Sequence, residues 1–229
     1  MIEAVRYCER GGSPDFWAEP LNAITNAGYL AAALGGLVLV RSSRLSAADR
    51  GWLLGLVALA ASIGAGSAAF HTAPSPLTKL ADVVPIAVFV VAALYVALTR
   101  LLAYSIPLVF GLLALLGIVS AGIAFGANSI GCGDGSCLNG APGYLPVLAA
   151  LVLTALAVVR ARSVSAPSLL LASMAFAAAL TARTLDLAVC PLAAVGAFSV
   201  TAHSLWHLGT ALAAYFVLRG LVLGLRVTS

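Results

Sequence analysis

Seven apolar stretches, each close to the roughly 20 residues that a helix needs to cross the hydrocarbon core of a bilayer, leave this chain few ways to fold. They run over about 20–40, 51–71, 82–99, 104–126, 144–159, 166–187 and 200–218. Backbone polar groups in lipid must be satisfied within their own segment, so each stretch predicts an α-helix. The connections are short and leave no room for a separate soluble domain. Residues 1–229 are therefore expected to form one all-α, seven-helix transmembrane unit, with 1–19 as an outer N-terminal segment. Composition agrees: 62% of residues are apolar, 9% are charged and mean hydropathy is +1.08, which excludes a soluble globular protein. The first stretch is expected to be retained rather than cleaved, because Glu9, Asp15, Trp17 and Glu19 precede it and no small-residue cleavage motif follows.

The basic residues report orientation. Arg41, Arg44, Arg50, Arg100, Arg160, Arg162, Arg219 and Arg226 fall in alternate connections and the tail, whereas the other side has Arg6, Arg10 and Lys79. The positive-inside rule then places the N-terminus outside and the C-terminus in the cytoplasm, which requires an odd number of spans. Because these charges are scattered singly, they form no basic face for nucleic acid. Cys8, Cys132, Cys137 and Cys190 all fall on the predicted outer side, as oxidised pairs require. Three connectivities are open. Closeness in a Gly-rich loop favours Cys132 with Cys137, which leaves Cys8 with Cys190; free thiols are the alternative.

Ionisable groups at membrane depth mark function by default, and here they gather. Ser67 and His71 share a face at the end of span two, Asp82 opens span three, and His203 and His207 share a face at the start of span seven. With the spans alternating in direction, all of these lie near the outer surface. The chain's three histidines thus form a His-x-x-x-His pair plus one, the ligand set of a catalytic zinc site with a fourth position open to water. In this reading Asp82 handles the proton and Ser67 donates to a developing oxyanion. Haem ligation is the competing reading, but it leaves Asp82 and Ser67 without a role.

Span one carries a second polar stripe, Glu19, Asn22 and Asn26 with Thr25 beside them. Interhelical hydrogen bonding accounts for it; with Glu9 and Asp15 it also suggests an oxygen-rich cation site, calcium being the candidate. Arg183 and Asp186, one turn apart in span six, are expected to pair with each other. Small residues such as Gly64 and Gly66 read as close helix packing.

These motifs resemble a known family. Glu-Pro-Leu-Asn-Ala-Ile-Thr-Asn (Glu19 to Asn26), Gly-Ser-Ala-Ala-Phe-His-Thr (Gly66 to Thr72) followed by Asp82, and His-Ser-Leu-Trp-His (His203 to His207) look like the three signature blocks of the alkaline ceramidases. That family lies within a superfamily of seven-helix membrane hydrolases that includes adiponectin-type receptors. The resemblance runs from Tyr-Cys-Glu-Arg (Tyr7 to Arg10) to span seven. It implies that His71, His203 and His207 hold zinc, that Asp82 and Ser67 are catalytic, that Trp206 lines the lipid pocket and that Cys8 pairs with Cys190. It also implies a calcium site in the N-terminal segment and first helix. Glu9 and Glu19 match that pattern, whereas Arg6 and Gly11 stand where it has an acid and an amide, and Asp15 is the available substitute.

The expectation is a zinc-dependent intramembrane amidase that cleaves ceramide-like lipids to a sphingoid base and a fatty acid. Hydrolysis of another N-acyl or ester lipid on the same scaffold, or a non-catalytic lipid receptor with structural zinc, are the alternatives. The expected partners are the bilayer and its lipid substrate, with no obligate protein partner implied. The abundance of Ala, Leu, Val and Gly with a single Lys points to a bacterial cytoplasmic membrane with the site near the periplasmic face.

Overall fold

The computed structural model describes residues 7–11, 13–129, 137–190 and 201–226. Its elements are α1 (Pro20–Thr25), α2 (Ala27–Ser42), α3 (Ala47–Thr72), α4 (Pro76–Val96), a π-helical turn (Ala97–Leu101), α5 (Ile106–Ser129), a 3-10 segment (Cys137–Tyr144), α6 (Leu145–Arg160), α7 (Ala166–Val189) and α8 (Ala202–Leu225). No strand occurs among the described residues. Seven helices there are long and apolar enough to cross a membrane: α1 with α2, α3, α4 with its π-turn, α5, α6 with part of the 3-10 segment, α7 and α8. The chain is a multi-pass integral membrane protein.

Local chemistry sets the boundaries. Ser46 caps α3 by accepting the Asp49 amide, and Thr201 caps α8 by accepting that of Ser204. Ser75 and Thr78 form a reciprocal capping box in front of Pro76. Span three therefore begins at Pro76, six residues earlier than the hydropathy pattern suggests, and Asp82 lies inside α4 instead of opening it.

The helices divide into a packed interior and a lipid-facing exterior. Tyr29, Leu53, Leu56, Val57, Ala60, Ile63, Phe89, Val96, Leu218 and Leu221 build a common core among α2, α3, α4 and α8. By contrast α5 exposes Phe110, Leu115, Ile118 and Phe125, as a helix with lipid on most sides should. Two contacts bring the helices close at the end where the histidines lie. Gly64 lies against the Asn26 carbonyl and Tyr29, and any side chain at Gly66 would strike the Ala81 backbone of α4. Pro85, inside α4, has no N–H to give the Ala81 carbonyl; the bare Cα of Gly66 takes up the space against it. Ser67 and Asp82 follow these two residues directly and are thereby held side by side.

Candidate metal centre

His71 comes from the last turn of α3, and His203 and His207 come from the first two turns of α8. All three are buried, and one potential ligand nitrogen from each lies within 4.8 Å of the others. Their ring centroids stand 4.7–5.2 Å apart. Two of the three are held from behind. His71 Nδ1 lies 2.6 Å from Glu19 Oε2, and His207 Nδ1 lies 3.1 Å from the Thr25 hydroxyl. Such partners fix ring orientation and leave the other nitrogen for a metal. His203 Nδ1 is buried without a hydrogen-bond partner, which a site built only for packing would not leave. Three neutral-capable nitrogens, two of them oriented and one orphaned, fit a metal ion.

Ser67 is buried one turn before His71 and its hydroxyl stands beside the Asp82 carboxylate. Both line a cavity of about 100 Å³ with Tyr7, Lys79, Tyr144, Arg183, His203, Trp206 and His207. A second cavity of about 290 Å³ runs between α4, α5, α6 and α8 with an almost wholly apolar wall. Tyr29, Ile63, Val83, Ile86, Tyr144 and Trp206 belong to both. Trp206 thus stands where a polar chamber meets an apolar one.

The N-terminal segment closes the polar chamber. Cys8 is disulfide-bonded to Cys190, with Cα atoms 5.4 Å apart; Cys132, the partner expected for Cys137, lies outside the described residues. Tyr7 packs its ring 4.1 Å from that of His203 and 4.9 Å from that of His71. Burial pushes its phenol above the usual range, so it stays protonated. Asp186 accepts the backbone amides of Cys8 (3.2 Å) and His203 (2.8 Å), and so ties this segment to the start of α8.

One expectation about charge changes here. Arg183 does not pair with Asp186: a carboxylate is better placed against the free amides at a helix N-terminus, and Arg183 turns the other way. Its Nε donates to the Asn139 carbonyl (2.9 Å), its side chain stands beside Tyr7, and its guanidinium lies over Tyr144 (5.3 Å) and Trp206 (5.0 Å).

The oxygens considered for calcium have the following partners within the protein. Glu9 accepts the amides of Leu21 (2.7 Å) and Asn22 (2.8 Å) at the start of α1. Burial raises its pKa, opposed by these two bonds. Glu19 pairs with Arg10 and also holds His71 and Asn22. Burial alone would raise the Glu19 pKa, but His71, Asn22 and Arg10 together hold it below the usual range. Asn22 Oδ1 accepts from Thr201 (3.1 Å), and Asp15 accepts from Ser13. The Arg10 guanidinium that pairs with Glu19 also donates to the His71 carbonyl (2.9 Å).

Tyr7, Arg10, Thr25, Tyr144 and Arg183 were not singled out for the site by spacing. The signal available was the polar stripe of span one and the lone arginine in span six; what each one faced was not.

Fold and site together define a seven-helix membrane protein with a buried, metal-competent trihistidine centre beside a polar cavity that shares part of its wall with an apolar one. Residues 5–224 match the family model described as Ceramidase, and the chain belongs to the Ceramidase family. Membership implies a ceramide-hydrolysing enzyme, a hydrolase of amides. No curated protein matches the sequence closely enough to count as a relative.

Proposed function

We propose that this chain is a zinc-dependent amidase that hydrolyses ceramide-like lipids within the membrane, releasing a sphingoid base and a fatty acid. The observation that carries the reading is the gathering of His71, His203 and His207 beside a cavity that His203 and His207 line together with Ser67 and Asp82. Three histidines with a position left open are the donor set of catalytic rather than structural zinc. When bound, zinc would polarise the amide carbonyl and lower the pKa of water to about 7.

The chain's own residues do the rest. Asp82, held by Ser67, takes a proton from the attacking water as the C–O bond forms. The Ser67 hydroxyl then turns its hydrogen bond to the oxyanion that develops on the former carbonyl. Asp82 returns the proton to the amide nitrogen, the C–N bond breaks, and amine and carboxylic acid separate. Glu19 and Thr25 keep the rings of His71 and His207 in place. The apolar cavity takes acyl chain and excludes water, while Trp206 borders both compartments.

The arginine distribution supports a site on the side opposite the Arg-rich loops, periplasmic if the membrane is a bacterial one. Metal content of the purified protein, measured with fatty-acid release from a panel of N-acyl and ester lipids with and without a chelator, tests the reading. About one zinc per chain with chelator-sensitive ceramide cleavage is expected. Cleavage of a different lipid would change the substrate, zinc without any cleavage would leave a receptor, and a protein without zinc would overturn the reading.

A further inference from the structure

Arg183 is a cation at membrane depth with no carboxylate of the described residues in ion-pair range. Charges in such positions are costly and are kept where something completes them. What lies closest to this one is not a carboxylate: the Asn139 carbonyl on Nε, Tyr7 beside it, and the faces of Tyr144 and Trp206, while Asp82 and Asp186 interact with it only from beyond ion-pair distance. Asp82 lines the same cavity but makes no ion pair with it.

Position narrows which further anion this charge suits. Tyr144 and Trp206, the rings on which the guanidinium lies, are among the residues that wall both the polar cavity of the histidines and the larger apolar one. The positive charge therefore stands at their junction. A ligand suited to both sides has one anionic oxygen group and one long apolar tail, and a guanidinium suits a carboxylate because its fork matches the two oxygens. In the hydrolysis proposed above, the amide carbon becomes such a carboxylate in this chamber, on a chain that the apolar cavity can hold.

We propose that Arg183 forms the carboxylate subsite for the released fatty acid, with the acyl chain lying in the apolar cavity. The identity of the ligand rests on the amidase reading; the binding itself does not. The test therefore measures affinity and not turnover. Metal-loaded protein in phosphatidylcholine nanodiscs is titrated with palmitate and with hexadecanol, which share a chain and differ in head group. Arg183→Gln should weaken palmitate binding by about tenfold or more, the range of a charge-assisted hydrogen bond. Hexadecanol affinity should stay within about twofold, which shows that the pocket is intact. Arg183→Lys should recover part of the palmitate affinity. Unchanged palmitate binding in Arg183→Gln would overturn the proposal, and so would an equal loss for both ligands, which would make Arg183 a support for the wall. A chain that hydrolyses nothing can still pass this test, and a working amidase can still fail it.

Discussion

One carboxylate at Glu19 meets Arg10, Asn22 and His71, and its contact with His71 Nδ1 determines which ring nitrogen is left for the metal. Glu19→Gln keeps the shape but removes the charge that favours this ring orientation. Zinc affinity, measured by competition with a chelating dye, should fall by about 10–100-fold. His71→Ala should lose both zinc and turnover; full retention of either would refute its assignment as a ligand. Asp82→Asn separates binding from chemistry: metal content should hold while kcat falls by about 10²–10⁴-fold, the usual worth of a proton-transfer group. Unchanged turnover would remove Asp82 from the mechanism. The histidines, Ser67 and Asp82 were legible in the sequence because polar residues are rare at membrane depth and helical spacing aligned them. The partners of those histidines were not. Glu19 and His71 are 52 residues apart, and Thr25 and His207 are 182 apart. A polar stripe shows that span one turns toward something, not which ring it will meet.

At the scale of the helix pair, α3 and α4 owe their separation to what Gly66 lacks. Its Cα sits against the Ala81 carbonyl, freed by Pro85, and the next residue on each helix is a member of the site. Gly66→Ala should push the helices apart, with a stability loss of about 1–3 kcal/mol for overpacking. Activity should fall further than stability does, since a shift of about 1 Å at a reacting group can cost roughly 100-fold. Thermal unfolding in detergent and lipid hydrolysis on the same preparation check this; a variant with wild-type activity would show that the contact does not set the Ser67–Asp82 geometry. Hydropathy located all seven helices but erred at their ends. It began span three at Asp82 because Lys79 interrupts the apolar run, while the Ser75–Thr78 capping box had already started the helix at Pro76. It likewise placed Arg219 in the tail, yet α8 continues to Leu225 and Arg219 donates to the Ser168 hydroxyl (2.5 Å). An arginine can remain in a helix end when a neighbouring hydroxyl receives it, and a window average cannot register that neighbour.

Across the whole molecule, the arginines away from the histidines serve two purposes at once. Arg50 donates to the carbonyls of Val40 (2.9 Å) and Ser43 (3.1 Å), Arg226 donates to the Ser43 hydroxyl (3.0 Å), and Arg100 lies 3.7 Å from Asp49. These bonds knit the α2–α3 connection to the end of α8, so the charges would be retained for packing even with no membrane asymmetry to obey. Orientation therefore needs its own test, independent of the count of arginines. Ala48, in the first turn of α3, and Ala73, just after its last, are both exposed and stand at opposite ends of one span. Ala48→Cys and Ala73→Cys can be probed with a membrane-impermeant maleimide in right-side-out vesicles, against the unsubstituted chain for background. If the Arg-rich side is cytoplasmic, Ala73→Cys should label at once and Ala48→Cys only after permeabilisation. The reverse pattern would turn the molecule over and place the trihistidine centre, two residues from Ala73 on the same helix, at the cytoplasmic face. The proposed hydrolysis would then take place at the face opposite to the one that the arginine count assigns to the site.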